Sequence, residues 1–361
     1  MTEKLSAFTN DTNNNLSLIR ITLALLVLLS HSFAMVSGDA TTQPFYGALK
    51  MTPGTMAVDM FFVISGFLLT QSLLKKNDPI DFIIARAARI YPALICATLF
   101  TALIIGTAFT CLPISEYLAN ADTAKYIIKT ATIVRGIEFT LPEVFKNIPL
   151  YDQVNGSLWS LPFELKMYGL IFILWLIAYK TSSQRYLVCG VLVTTIASGF
   201  IYCYTTITQG VDLKLPRLIY FFFSGSLLYC AQSIIPASRK WLWIAIALLA
   251  TTVINQTSFL LAWTICAPYI LIYIAFIPKS KLLVYNKLGD YSYGVYVFAW
   301  PIQQSIVQID KYVSTLQLIW LSAILTILIA IPCFHYIEAP SMRKRRSVVN
   351  WIKCHSLFQK A

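Results

Sequence analysis

Ten apolar stretches recur along this chain, and each is close to the roughly 20 residues that a helix needs to cross a bilayer. Hydrophobic residues make up 57% of the sequence and charged residues only 12%, about half the charged fraction of a soluble domain. The chain is therefore predicted to be an all-α, polytopic membrane bundle of about ten transmembrane helices. The predicted spans are 16–36, 55–74, 88–110, 160–179, 186–206, 217–235, 241–256, 259–277, 288–308 and 316–336.

Basic residues concentrate in alternate connections between the predicted spans. Because cytoplasmic connections are enriched in Lys and Arg, this alternation predicts that both termini are cytoplasmic. An even number of spans agrees with this, because it places both termini on the same side of the membrane. The net charge of +12 is thus attributed to orientation in the membrane, and no nucleic-acid partner is predicted. The basic segments are 75–87, 180–185, 236–240, 278–287 and 337–361.

The same pattern predicts one transmembrane domain over 16–340, preceded by a cytoplasmic segment over 1–15 and followed by a basic cytoplasmic tail over 341–361. The longest connection, 111–159, is predicted to be a loop that covers the outer mouth of the bundle. An alternative for the first span is a signal peptide cleaved near Ala40. The long and weakly basic segment that precedes this span favours its retention.

Arg20 and His31 are the ionisable residues of the first apolar stretch. Eleven steps of 100° return to within about 20° of the starting direction, so both side chains share one face of a helix, about 16 Å apart along its axis. Ionisable side chains at membrane depth are costly and usually face a protein interior or an aqueous cavity. Chemistry is therefore expected first at this pair.

Asp59 and Glu164 place carboxylates at the outer ends of two predicted spans. Asp59, in the block 58–67, could orient a nearby imidazole or simply cap its helix, and the residues favour neither role. Glu164 lies in the block 156–166, and a carboxylate that enters an apolar helix needs a polar interior. Trp159, in the same block, can serve as an interfacial anchor.

Arg86 and Arg89 share a helix face at the predicted cytoplasmic end of the third span. From the residues alone, a positive-inside anchor is the favoured interpretation. The other interpretation is a fork-like clamp for phosphates, which guanidinium groups suit well. Farther along, Tyr293 is typical of an interfacial aromatic belt, whereas Gln303 lies deeper and could line a polar cavity.

Common metal and nucleotide motifs are absent from the sequence. No Cys-x-x-Cys pair occurs among the eight cysteines, and the three histidines are far apart in sequence, so no metal is predicted. The patterns G-x-x-x-x-G-K-[ST], G-x-S-x-G and H-E-x-x-H do not occur either. Their absence argues against an ATPase, a serine hydrolase and a zincin.

Taken in order, these groups resemble the membrane acyltransferase family 3, whose members include O-acetyltransferases of O-antigen, exopolysaccharide and Nod-factor sugars. Arg20 and His31 match its arginine, ten residues, histidine pattern. The chain departs from the family pattern at 298–300, where Phe-Ala-Trp, ending in Trp300, stands in place of a histidine found in many relatives. The resemblance covers about 16–340. The other matching blocks are V-D-x-F-F-V-x-S-G-F, R-x-x-R-I-x-P, G-S-L-W-S-L-x-x-E and L-G-x-x-S-Y-x-x-Y.

The resemblance implies a membrane-bound O-acyltransferase of the bacterial cytoplasmic (inner) membrane. Acetyl-CoA is the expected donor on the cytoplasmic side, and a lipid-linked or nascent surface glycan, O-antigen or exopolysaccharide, is the expected acceptor on the periplasmic side. His31 is expected to act as general base on a sugar hydroxyl or to accept the acyl group first. Asp59 or Glu164 would orient its imidazole.

The resemblance also implies two sets of binding residues. Three arginines are expected to bind the CoA phosphates, namely Arg20, Arg86 and Arg89. The glycan is expected to contact three residues with polar or aromatic side chains, Trp159, Tyr293 and Gln303.

Two other classes of protein compete with this interpretation. A polytopic transporter or flippase of glycans or lipid-linked intermediates also needs polar groups inside a helical bundle. Such transporters often show paired repeats with broken helices at the midplane, and no such pairing is found in this sequence. A non-catalytic partner in glycan assembly is the third class, and it would tolerate loss of Arg20 and His31.

Overall fold

The computed structural model describes residues 3–9, 11, 13–150, 153–278 and 281–358. Within these ranges every long element is a helix, and β pairing is limited to two isolated bridges. The all-α prediction is therefore confirmed. Parts of four predicted segments lie outside the described residues, namely 1–2, 10 and 12 of the segment 1–15, 151–152 of the connection 111–159, 279–280 of the connection 278–287 and 359–361 of the tail.

Among the described residues, seven stretches of helix are long and apolar enough to cross a membrane, which confirms a polytopic helical membrane protein. These stretches are Leu16–Ser37, Pro53–Lys76, Pro79–Phe109, Gly156–Lys180, Gln184–Gln209, Gln256–Phe276 and Thr315–His355. The long helices are α1 (Leu16–Ser37), α2 (Pro53–Lys76), α3 (Pro79–Leu99), α4 (Ala121–Thr132), α5 (Leu161–Lys180), α6 (Gln184–Gln209), α7 (Lys214–Cys230), α8 (Arg239–Thr252), α9 (Gln256–Phe276), α10 (Ser292–Ile309), α11 (Thr315–Cys333) and α12 (Ala339–Phe358).

The other three predicted spans also fall on helices. These are α7 with 17 residues, α8 with 14 and α10 with 18. Helices α7 and α8 are shorter than the roughly 20 residues of a typical span. Helix α10 is continuous, and its mostly apolar sequence contains two adjacent polar residues, Gln303 and Gln304.

Helix ends coincide with capping residues that the sequence supplies. The side chain of Thr52 accepts a hydrogen bond from the backbone N–H of Thr55, and Pro53 occupies the first position of α2. Asp78 caps α3 in the same way, followed again by a proline. Asn77, with φ 51°, ends α2 in the left-handed region that asparagine tolerates.

The chain divides into two compact units, and each is described separately. The first contains Met1–Val27, Gln43–Asn77 and Phe163–Asp290. The second contains Leu28–Thr42, Asp78–Pro162 and Tyr291–Ala361.

Helices α2 and α7 of the first unit meet backbone to backbone. A Cβ on Gly66 would overlap the carbonyl oxygen of Phe222, and a Cβ on Gly225 would overlap that of Val63. The hydroxyl of Ser226 donates a hydrogen bond of 3.2 Å to the Gly66 carbonyl across this contact. Small residues that admit such close approach are a common basis of helix packing in membranes.

Helix α12 of the second unit is tied to the beginning of α3 by ion pairs. Arg345 Nη2 lies 3.0 Å from Asp81 Oδ1, and Lys353 pairs with Asp78. A five-residue π-helical turn, Phe334–Glu338, joins α11 to α12. The predicted basic tail is thus helical as far as it is described, and two of its cations neutralise carboxylates of the same unit.

The connection 111–159 contains helix α4, which packs along α3. The hydroxyl of Tyr91, on α3, donates a hydrogen bond of 3.2 Å to the Thr132 carbonyl at the end of α4. Tyr117 and Tyr126 are fully buried in the core of this unit. The connection is therefore a packed part of its unit. Its predicted position over the outer mouth stays a prediction.

Candidate active site

His31 lies on the part of α1 that belongs to the second unit, and its ring packs against Trp300 of α10. The ring centroids are 4.7 Å apart and the ring planes meet at 72°, an edge-to-face arrangement. Nδ1 of His31 is buried, and no residue that the structure describes lies in hydrogen-bond geometry with it. The histidine is thus held by packing against Trp300, and its role as a base stays a prediction.

Gly156, which begins the G-S-L-W block, and the residues just before it contact α10. The indole Nε1 of Trp300 donates a hydrogen bond of 2.9 Å to the Gln153 carbonyl, and the Asn155 amide donates one of 2.9 Å to the Val297 carbonyl. A Cβ on Gly156 would lie 2.6 Å from the indole ring, so this position requires glycine for the ring to keep its place. The beginning of the block therefore packs on α10 at Trp300, the residue that contacts the histidine.

Gln303, predicted to contact the glycan, braces α10 against α1. Its amide nitrogen donates hydrogen bonds of 2.9 Å to the Leu28 carbonyl and 2.7 Å to the Ser32 hydroxyl. Its side chain is fully buried, and its amide oxygen has no hydrogen-bond partner among the described residues. Trp159 is half-buried within the 3₁₀ turn Gly156–Ser160 of the same block. The glycan-binding roles of both residues stay predictions.

Arg89, predicted to bind the CoA phosphates, and Tyr293, predicted to contact the glycan, lie together in the second unit. The guanidinium of Arg89 lies 5.7 Å from the centre of the Tyr293 ring, and its Nη1 is 3.4 Å from Oε2 of Glu338. Glu338 is buried, whereas the Arg89 side chain is 21% exposed. The hydroxyl of Tyr293 donates a hydrogen bond of 3.0 Å to the Ile90 carbonyl. Arg89 is therefore a positioned cation that solvent can still reach.

Asp59 lies in the first unit and pairs with Arg217 of α7. Its Oδ1 is 3.2 Å from Nε of Arg217, and its Oδ2 accepts a hydrogen bond of 3.2 Å from the indole N–H of Trp263. Asp212 pairs with the other side of the same guanidinium. Its predicted role in orienting an imidazole stays a prediction, but its charge is already balanced within this unit.

Glu164 also lies in the first unit, near the beginning of α5. Its Oε1 accepts a short hydrogen bond from the Tyr168 hydroxyl, one turn along the helix, and a longer one of 3.4 Å from the Ser65 hydroxyl. Arg20, the third predicted site residue of this unit, forms an ion pair of 3.0 Å with Asp290. Glu164 and Arg20 therefore each have a partner within the first unit.

Several partners of the predicted site residues are absent from the sequence prediction. The aromatic partners give a faint signal, because an indole or a phenol in an apolar stretch is usually a packing residue. Arg217, Asp290 and Glu338 give a clearer one, since a charged side chain at the edge of a predicted span could have been recognised as a charge near membrane depth. No group of three or more His, Cys, Asp and Glu side chains in the described part of the chain could hold a metal ion. The missed partners are Arg217, Trp263, Tyr168, Asp290, Glu338 and Trp300.

Comparison with known proteins identifies a family and several relatives by their sequences. The sequence profile of a family described as an acyltransferase domain matches residues 13–335. An O-acetyl transferase of Shigella phage Sf6 is 25% identical over 303 residues, which cover 80% of this chain and 84% of that protein. Nodulation protein 10 of Rhizobium leguminosarum bv. viciae is 26% identical over 369 residues, which cover 93% and 95%. No solved structure matches the chain.

Proposed function

The chain belongs to the acyltransferase-domain family, and we propose that this multi-pass membrane enzyme moves an acetyl group from acetyl-CoA to a hydroxyl of a surface glycan. The observation that carries the proposal is the position of His31, whose imidazole packs edge-to-face on Trp300. His31 lies on α1, a helix long and apolar enough to cross a membrane, in a chain that matches this family over 13–335. The similarity to a protein named O-acetyl transferase supports acetyl as the group transferred.

The proposed location is the bacterial inner membrane, with the donor on the cytoplasmic side and the glycan on the periplasmic side. The support is the alternation of basic connections along the sequence, which favours cytoplasmic termini. The glycan would be an O-antigen or an exopolysaccharide, presented as a lipid-linked or nascent chain. This arrangement lets a donor made in the cytoplasm serve an acceptor outside it.

His31 would act as the general base. It would take the proton of the acceptor hydroxyl while that oxygen attacks the thioester carbonyl carbon of acetyl-CoA. The new C–O bond forms the acetyl ester, the C–S bond breaks, and the proton on the imidazolium passes to the departing sulfur. The products are then O-acetylated glycan and free CoA, and the imidazole returns to its starting form.

The donor phosphates would be bound in the second unit by Arg86 and Arg89. Arg89 fits this role because its guanidinium is fixed by Glu338 and Tyr293 yet remains 21% exposed. Two oxygens of a phosphate group can accept parallel hydrogen bonds from this guanidinium, in place of part of the 3.4 Å ion pair with Glu338. Arg20 stays a predicted ligand of the same phosphates.

The test uses purified full-length protein in detergent, acetyl-CoA and the de-O-acetylated polysaccharide of the source bacterium. The variant His31→Gln should lose free CoA release and ester formation by about 10²–10⁴-fold, the usual contribution of general-base catalysis. The matched control is His355→Gln, because His355 is an exposed residue of α12 and should leave the rate unchanged.

Two results would contradict the proposal. Wild-type rates in a folded His31→Gln protein would remove the proposed base. The absence of acetyl-CoA cleavage by the wild-type protein with this acceptor, together with uptake of the glycan into proteoliposomes, would favour the transporter class.

A further inference from the structure

Trp300 contacts the proposed base, although no sequence pattern assigns it a role. Its ring lies edge-to-face on His31 at 4.7 Å, and it is only 8% exposed. We propose that Trp300 is a positioning residue for acyl transfer, which holds the imidazole of His31 in the orientation that accepts the hydroxyl proton. This inference rests on the proposed function.

The need for such a residue follows from the surroundings of His31. A catalytic histidine is commonly oriented by a carboxylate or carbonyl that binds its second ring nitrogen. Here Nδ1 is buried and has no hydrogen-bond partner in the part of the chain that the structure describes. No such hydrogen bond therefore limits the rotation of the imidazole about its Cβ–Cγ bond. The aromatic contact with Trp300 supplies a steric limit in its place.

Trp300 can act in this way because a hydrogen bond and a close packing contact hold its indole, and a second hydrogen bond holds the carbonyl that it binds. Its Nε1 donates a hydrogen bond of 2.9 Å to the Gln153 carbonyl. The amide of Gln304, in the next turn of α10, donates one of 3.0 Å to the same carbonyl. Gly156 lies against the indole so closely that a Cβ there would be 2.6 Å from the ring. The indole is thus a rigid surface for the imidazole.

Helix α10 also fixes the backbone that carries His31. Gln303, three residues after Trp300, donates hydrogen bonds to the Leu28 carbonyl and to the Ser32 hydroxyl of α1. These contacts flank His31 in sequence. The same helix therefore restrains both the main chain and the side chain of the histidine, and movement of α1 cannot easily compensate for loss of the indole.

The kinetic consequence is specific. Proton transfer needs the imidazole nitrogen within hydrogen-bond reach of the acceptor hydroxyl, and a displacement of about 1 Å can cost on the order of 10²-fold in rate. Donor affinity depends on groups that bind the CoA phosphates, which Trp300 does not contact in this proposal. Loss of Trp300 should therefore lower kcat and leave the KM for acetyl-CoA nearly unchanged.

The experiment compares Trp300→Leu, Trp300→Phe and Gly156→Ala in the acetyl-CoA and polysaccharide assay. Trp300→Leu should lower kcat by about 10–100-fold with a KM for acetyl-CoA within about 2-fold of wild type. Trp300→Phe keeps an aromatic edge and should recover most of this loss. Gly156→Ala displaces the indole without removing it and should give an intermediate kcat. Trp320→Leu is the control, because Trp320 is 63% exposed on α11 of the same unit.

Three outcomes would overturn the inference. The first is a folded Trp300→Leu protein whose kcat is within about 2-fold of wild type. The second is a Trp300→Phe protein that is no more active than Trp300→Leu, which would make the residue merely structural. The third applies if Trp300→Leu does not fold, and it is a wild-type kcat in Gly156→Ala. Failure of the proposed function is distinguishable, because either the wild-type protein would then not cleave acetyl-CoA or His31→Gln would keep the wild-type rate.

Discussion

The carboxylate of Asp59 and the guanidinium of Arg217 form an ion pair inside the first compact unit, with Oδ1 and Nε 3.2 Å apart. The exposed fractions of the two side chains are 0% and 4%. Trp263 adds a hydrogen bond to the carboxylate, and Asp212 pairs with the guanidinium from the other side. Three helices and one loop of this unit are joined by a single charged cluster.

Removing Arg217 should destabilise the protein strongly, because the buried Asp59 carboxylate then loses its counter-charge. We expect Arg217→Met to lower the free energy of unfolding by about 3–5 kcal/mol. Asp59→Leu should cost less, because Asp212 still pairs with the guanidinium. The double variant should lose much less than the sum of the two. Thermal unfolding in detergent measures each corner of this cycle.

The control for this cycle is Arg185→Met, since Arg185 is exposed at the beginning of α6. Additive losses in the double variant would show that the two side chains do not depend on each other. A folded Asp59→Asn protein with normal stability and no transfer activity would instead assign Asp59 to the chemistry.

A methyl group at Gly225 should be poorly tolerated. Its Cβ would overlap the Val63 carbonyl oxygen, and backbone atoms cannot rotate away as a side chain can. We expect Gly225→Ala to cost about 1–3 kcal/mol, the usual range for overpacking. Gly169→Ala, on α5 of the same unit, meets no atom within 4 Å and should be neutral or slightly stabilising. Equal thermal midpoints for the two variants would contradict the close contact between α2 and α7.

The general architecture could be predicted because the signal is local. An apolar run of about 20 residues specifies a span wherever it occurs, so nearly all helices of this chain were within reach of the sequence. Helices α4 and α12 were not, because the 12 residues of α4, with Asp122, Lys125 and Lys129, fall short of a span and α12 is rich in basic residues. Both pack on α3, and no local pattern reveals such contacts.

The site was predictable only in part, since its residues were identifiable but their partners were not. Arg20, His31 and Arg89 stand out as ionisable groups in or beside apolar stretches. Their contacts with Asp290, Trp300 and Glu338 join residues that are far apart in sequence. Such pairs are set by tertiary packing and leave no spacing pattern.

Glu138 should make the stability of the second unit depend on acid pH. Burial raises the pKa of this carboxyl, but hydrogen bonds from Lys129 and then Lys125 lower it more, so the pKa lies below its ordinary value of 4.5. A carboxyl with a lowered folded pKa stabilises the protein above its unfolded pKa, and that stabilisation is lost as the pH falls through the folded value. The affected window therefore begins near pH 4.5 and extends downward.

Glu138→Gln tests this expectation, because the amide keeps the shape but cannot ionise. At pH 7 the variant should unfold at a lower temperature than wild type, and the gap should close as the pH is lowered through this window. Glu116→Gln changes an exposed carboxylate of the neighbouring short helix and should leave the wild-type pH profile intact. A gap that stays constant from pH 7 to acid would show that the ion pairs with Lys125 and Lys129 contribute nothing to stability.

Arg89 offers the sharpest test of donor binding. Its guanidinium lies between the Glu338 carboxylate and the Tyr293 ring, so replacement by Lys keeps the charge but loses the planar fork. We expect Arg89→Lys to raise the KM for acetyl-CoA about 10-fold, equivalent to roughly 1.4 kcal/mol, with kcat little changed. Arg343→Lys, at an exposed position of α12, is the matched control. An unchanged KM in Arg89→Lys, with normal membrane insertion, would leave this arginine as an orientation signal only. A fall in kcat at constant KM would instead place the guanidinium close to the reacting carbonyl.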